Sequence, residues 1–191
     1  MNKTYSRMSS IFENKGITTI ELIVVISIIG ILAAAAVNSY SNSITNKRLE
    51  SAANQIYADL KLAKSEAKAK NKTIFVSFKG TGKNWCYGIN EETACNCKKP
   101  DSCLLNESEK IYNSVAFKDI NLQKARFAGG GSSTAFDPKR GFAVGNGVKN
   151  GTIWLKADND NQLAVIVNRL GRVRFCSPQL AGYSKSCPTP P

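Results

Sequence analysis

Between positions 169 and 175 the chain reads Arg169-Leu170-Gly171-Arg172-Val173-Arg174-Phe175. Three guanidiniums fall within six residues with no acid among them. Each is permanently charged and presents its N–H groups as a planar fork that fits phosphate oxygens. In an extended chain Arg172 and Arg174 share one face, while Val173 and Phe175 turn to the other. Gly171 permits a tight turn and a close backbone approach, which would bring Arg169 to the same edge. The chemistry this spacing supports is anion capture. Lys139, Arg140 and Lys149, with Lys156 behind them, are candidate secondary phosphate contacts. Trp85 and Trp154 could stack on bases or fill a core. The competing reading of the arginines is an ordinary solvated strand face.

Catalysis has little to work with. The chain contains no histidine, so Ser–His and Cys–His pairs are unavailable. The carboxylates are scattered, except Glu91-Glu92 in a polar stretch that reads as solvated. Gly129-Gly130-Gly131 lacks the Lys-Ser/Thr that a phosphate-cradling loop requires, and reads as a connector. The cysteines stand at 86, 95, 97, 103, 176 and 187. In an exported chain they are expected as disulfides, which leaves them poor nucleophiles. Cys176–Cys187, close in sequence near the end, is the one pair expected; the partners of Cys86, Cys95, Cys97 and Cys103 stay open. A four-thiolate zinc site from those four is the alternative, disfavoured in an oxidising compartment. The expectation is a non-enzyme without metal or cofactor.

The net charge of +12 is unevenly spread: +2 over residues 1–16, −1 over 17–43, +4 over 44–119 and +7 over 120–191. Such a bias speaks to partners rather than fold, and favours polyanions and anionic surfaces.

The elements that must position the arginines begin with an apolar run. Ile17 to Val37 spans 21 residues, about 31 Å of helix, enough to cross a hydrocarbon core of about 30 Å. Glu21 interrupts it, and a carboxylate there costs about 2.5–3.5 kcal/mol on insertion scales. Beyond it Ile44, Leu49, Ala53, Ile56, Leu60, Ala63 and Ala67 form one apolar stripe, with Lys47, Arg48, Lys61, Lys64, Lys68 and Lys70 on other faces. This predicts one long helix, apolar all round in its first half and amphipathic in its second, ending at Asn71-Lys72. Strands are then predicted over 74–78, 85–89, 111–117, 125–128, 141–144, 152–157, 163–167 and 172–176, with a disulfide-pinned loop over 90–110. A helix followed by many strands gives an α+β class.

Lys15-Gly16 at the apolar boundary, with Glu21 the fifth residue beyond Gly16, resembles the class III signal of type IV pilins and type II pseudopilins. An ordinary secretory signal with small residues at Ala33–Ala36, or a plain single-pass anchor, would not account for that placement. The resemblance implies cleavage after Gly16 by a prepilin peptidase and N-methylation of Ile17. It also implies a role for Glu21 in assembly, through the N-terminal ammonium of a neighbouring pilin. Ile17 stands where Phe or Met is usual, and Asn38 where many members carry a proline that kinks the helix. The implied domains are a leader (1–16), a transmembrane helix (17–43), its amphipathic continuation (44–72) and a globular β-domain (73–191).

The layout is similar to the GspH/FimT branch, whose helix packs on an antiparallel β-sandwich. Gly171-Arg172-Val173-Arg174 resembles the Gly-Arg-x-Arg motif of FimT-type minor pilins, linked to DNA capture in natural transformation. That carry-over names Gly171, Arg172 and Arg174; Arg169 joins by proximity. The expectation is a minor pilin anchored in the inner membrane with a periplasmic domain, then assembled into a pilus that binds DNA. The rival is a structural, GspH-like pseudopilin or priming minor pilin.

Overall fold

A computed structural model describes residues 16–144 and 150–188, and of residues 35–39 only the backbone. The expected leader therefore falls outside the described residues except for Gly16, as do Lys149 and the Thr189–Pro191 tail.

The apolar run and the stripe form one helix, α1, Thr19–Lys70. It belongs to two compact units, residues 1–40 and 41–191. In the first, Thr18-Thr19-Ile20-Glu21 makes a capping box: Glu21 N–H donates to Thr18 Oγ1 at 3.3 Å, and Thr18 N–H to Glu21 Oε2 at 3.4 Å. All large aliphatic residues from Ile17 to Leu32 are exposed. Among the described residues no helix is long and apolar enough to cross a membrane; the sequence's apolar run continues over 35–37, whose side chains lie outside the description.

In the second unit Leu49, Ala53, Ile56, Leu60, Ala63 and Ala67 are completely buried, and Ile44 is half-buried. α1 ends where Asn71 adopts a left-handed φ of 53° and Lys72 N–H bonds Ala67 O at 3.2 Å. That closure satisfies carbonyls the helix leaves free. The strands are β1 Ile74–Thr81, β2 Asn84–Glu91, β3 Leu104–Leu105, β4 Ser108–Glu109, β5 Ile111–Asn113, β6 Ile120–Phe127, β7 Ser133–Phe136, β8 Ala143–Val144, β9 Gly151–Ala157, β10 Gln162–Val167 and β11 Val173–Cys176. One antiparallel sheet runs β5-β2-β1-β7-β8 and another β11-β10-β9-β6, with β3-β4 a separate hairpin. The stripe of α1 and the inward residues of both sheets make one core, among them Val76, Phe78, Leu122, Ile153, Leu155, Leu163 and Val165. The protein is α+β.

Several boundaries differ from expectation. The predicted strand over 111–117 stops at Asn113, and a 3-10 turn, Ser114–Ala116, follows. β6 begins at Ile120 and carries a bulge between Leu122 and Lys124. β7 was not foreseen, because Ser-Ser-Thr after three glycines reads as loop.

Disulfides join Cys86 to Cys97, Cys95 to Cys103 and Cys176 to Cys187. The first two pin the segment between β2 and β3, so these thiolates are not available to a metal. The third ties the tail across the outward side of the second sheet, where Trp154, Ala164, Ile166 and Cys176 form a small apolar cluster beside Cys187.

Candidate functional site

β10 and β11 are a hairpin whose tip is Asn168–Arg172. Asn168 N–H donates to Arg172 O at 2.9 Å, and Arg172 N–H donates to the Asn168 side-chain oxygen at 2.9 Å. Between them Gly171 adopts a left-handed φ of 65°. A Cβ on Gly171 would collide with the carbonyl oxygen of Gly141 and lie 3.2 Å from Lys64 Nζ. The tip is thus closed by an asparagine and seated against a second loop by a glycine. Arg172 at the end of the tip and Arg174 in β11 are exposed, while Val173 and Phe175 of β11 pack on the core. Phe175 lies 5.0 Å from the ring of Tyr57 on α1 and 6.0 Å from Tyr183.

Lys64 of α1 reaches the tip and donates to Leu170 O at 3.2 Å and Gly171 O at 3.0 Å. Its ammonium is held below the usual lysine range, first by partial burial and then by the positive charges of Lys68, Lys61 and Arg172, against the pull of Asp137. Four cations therefore crowd one patch, and mutual repulsion of this kind is what an anion relieves. Asp137 lies far in sequence from the arginines and was not anticipated as a neighbour. Its Oδ1 is occupied by the backbone N–H groups of Arg140, at 3.1 Å, and Phe142, at 2.7 Å. It holds the turn that carries Lys139 and Arg140, both exposed. That turn joins the hairpin directly, through Ala143 N–H to Arg169 O at 3.1 Å.

Strand register adds residues that sequence reasoning missed. Arg174 stands opposite Ile166, Ile166 opposite Thr152, and Thr152 opposite Arg126. Arg126 and Lys124 of β6, both exposed, thus share the outward side of the sheet with Arg174. In the sequence they sit in an unremarkable alternating strand.

Ion pairing divides the cations. Lys70 and Lys72 pair with Glu91, and Lys72 also approaches Glu92 at 3.6 Å. The Glu91-Glu92 carboxylates are therefore engaged, not simply solvated. Lys83 pairs with Asp158 at 3.4 Å and Lys156 with Asp160 at 2.5 Å. Lys156 lies at the far end of β9 from Thr152 with its charge already answered, which sets it apart from the other candidates. Among the described residues, Arg126, Arg140, Arg169, Arg172 and Arg174 form no ion pair. Both tryptophans are buried: Trp85 donates Nε1–H to Ile120 O at 3.1 Å, and Trp154 lies under the tail. Neither is placed to stack on a base.

The chain matches the family described as Type II transport protein GspH over residues 52–171. It belongs to that family. The match covers most of α1's packed half and the strands through the hairpin tip, and it stops one residue before Arg172. The minor pseudopilin EpsH from the type 2 secretion system of Vibrio cholerae is a structural neighbour at 14% identity and a TM-score of 0.47, over 70% of this chain and 99% of that one. Among curated proteins no significant match is found. Membership makes the chain a GspH-like pseudopilin or minor pilin, a structural rather than enzymatic class. It implies a membrane-anchored subunit that assembles with other pilins into a filament.

Proposed function

We propose that this GspH-like subunit is a minor type IV pilin that binds DNA, largely without sequence preference, during uptake in natural transformation. The supporting observation is the cationic patch at the hairpin tip: Arg169, Arg172 and Arg174 with Lys61, Lys64 and Lys68, none of them in an ion pair among the described residues. Arginine and lysine replace counterions on phosphates, giving affinity that falls with salt and little base discrimination. Lys139 and Arg140 extend the patch on one side, Arg126 and Lys124 on the other.

In this reading a prepilin peptidase cleaves after Gly16 and Ile17 is methylated. Residues 17–43 anchor the subunit as a single pass in the inner membrane, with the rest in the periplasm before assembly into a surface pilus. The exposed aliphatic surface from Ile17 to Leu32 needs such a cover. Glu21, bonded to Thr18 here, would exchange that capping for a neighbour's ammonium during assembly. The structural pseudopilin reading draws on one specific observation: the family match ends at Gly171, so membership says nothing of Arg172 and Arg174. Gel shifts with the detergent-solubilised chain separate the two. Retardation that is lost in Arg172→Gln/Arg174→Gln supports DNA capture, and no retardation of the wild type returns the chain to the structural role.

A further inference from the structure

Single-stranded nucleic-acid sites interleave cations with apolar surfaces on which unpaired bases stack. The two tryptophans are buried, yet such a surface exists beside the arginines. A cleft of about 350 Å³ is lined by Phe142, Ala143, Val144, Arg169 and Leu170. That is the low end of ligand-sized cavities. It lies where the 137–142 turn and β8 meet the hairpin tip, joined by the Ala143-to-Arg169 backbone bond. Phe142 is half-buried, and the Arg140 guanidinium lies over its ring, 5.7 Å from the centroid. Leu170 is 48% exposed at the tip, which leaves about half of an apolar side chain uncovered by this chain.

The surroundings argue for what fills the cleft. Arg169 lines it, the Arg140 guanidinium lies over its Phe142 wall, and Arg172 follows Leu170 by two residues at the hairpin tip, so a purely apolar occupant would leave the positive charge around it unanswered. A nucleotide unit matches both parts, with a flat apolar base and an anionic phosphate. A paired base cannot enter a lateral cleft without leaving its stack, which costs a few kcal/mol in duplex and least in a single strand.

We propose that this cleft takes an unpaired nucleobase, stacked by Phe142 and Leu170 while Arg169 and Arg172 hold the adjoining phosphates, so that the subunit prefers single-stranded DNA. This rests on the DNA-binding reading above. Base–aromatic stacking predicts a gain of about five- to a hundredfold per base.

The test is fluorescence anisotropy of the detergent-solubilised full chain with three probes of equal length: a single-stranded oligothymidine, the corresponding abasic strand and a duplex. The wild type should bind oligothymidine at least about fivefold tighter than the abasic strand. That ratio should collapse toward one in Phe142→Leu, with duplex affinity unchanged. Leu170→Ser, at an exposed tip, repeats the test where folding is not at risk. Equal binding of oligothymidine and abasic strand by the wild type, with loss of both in Arg172→Gln/Arg174→Gln, would overturn the base cleft and leave phosphate capture standing. Absence of binding to every probe would overturn both. Failure of Leu170→Ser to enter filaments, with no change in base discrimination, would assign the cleft to a neighbouring subunit and overturn the proposal.

Discussion

Lys68 and Lys70 are two residues apart on α1, yet their surroundings are opposite. Lys70 pairs with Glu91 at the end of β2, and Lys72 shares that carboxylate. Lys68 faces Lys64, whose neighbours are Lys61, Arg172 and the hairpin tip. Two residues on a helix turn the side chain to another face, and the two faces meet different parts of the β-domain. The first faces a strand end that supplies an acid, and the second a glycine-seated turn that supplies arginines. A count of basic residues cannot tell these regions apart. The second is the proposed site because its cations are brought together and, among the described residues, form no ion pair.

The largest effect should come from disturbing the seat of the tip. Gly171→Val places a β-branched residue at a φ of 65° and drives its Cβ into the Gly141 carbonyl. It should cost about 1–3 kcal/mol of stability, seen as a lower thermal midpoint, and weaken DNA binding although every charge remains. Unchanged stability with unchanged binding would mean the tip's position against Gly141 is immaterial.

Next is the answered region. Lys70 beside Glu91 holds that carboxyl below the usual glutamate range. A depressed folded-state value stabilises the protein above the unfolded value and loses that stabilisation as pH falls through the carboxylate range, below about 4.3. Glu91→Gln should therefore cost about 1 kcal/mol at neutral pH and flatten the acid limb of a stability–pH curve. DNA affinity should change little. A gain comparable to the loss in the arginine variants would show that freeing any lysine makes a site, and would break the comparison.

The smallest effect falls on Lys64. Its folded-state value lies below the ordinary one, so between the two the unfolded chain binds more protons. Stability should rise as pH climbs through that interval toward about 10.4. Lys64→Met should remove this rise while changing neutral stability by no more than about 0.5 kcal/mol. Denaturant titrations from pH 8 to 10.5 would check it, and a rise that persists in the variant would place its source elsewhere.

How much of this was legible in the sequence depends on the range of the interaction. The helix stripe from Leu49 to Ala67 and the alternation of Arg172 to Phe175 are local periodicities, and the buried and exposed residues follow them. The turn at Gly171 was readable for the same reason. Lys64 reaching the tip 107 residues away, and Asp137 beneath it, were not readable, since only sheet topology brings them together. Arg126 entered through strand register, which depends on the bulge after Leu122. Both tryptophans take the core alternative that the sequence offered, Trp85 in the main core and Trp154 beneath the tail, although residue type alone does not say which side of a sheet a tail will cover.

The most direct test compares salt dependence across the two regions. Log affinity of the full chain for duplex DNA should fall with log salt concentration, with a slope of about −0.9 per phosphate contact. Arg172→Gln/Arg174→Gln should shallow that slope by about two units with the thermal midpoint unmoved, whereas Lys70→Gln/Lys72→Gln should leave the slope as it is. Equal slopes in the wild type and the arginine variant, or an equal loss in the lysine variant, would contradict the assignment of the hairpin tip as the site where DNA is held.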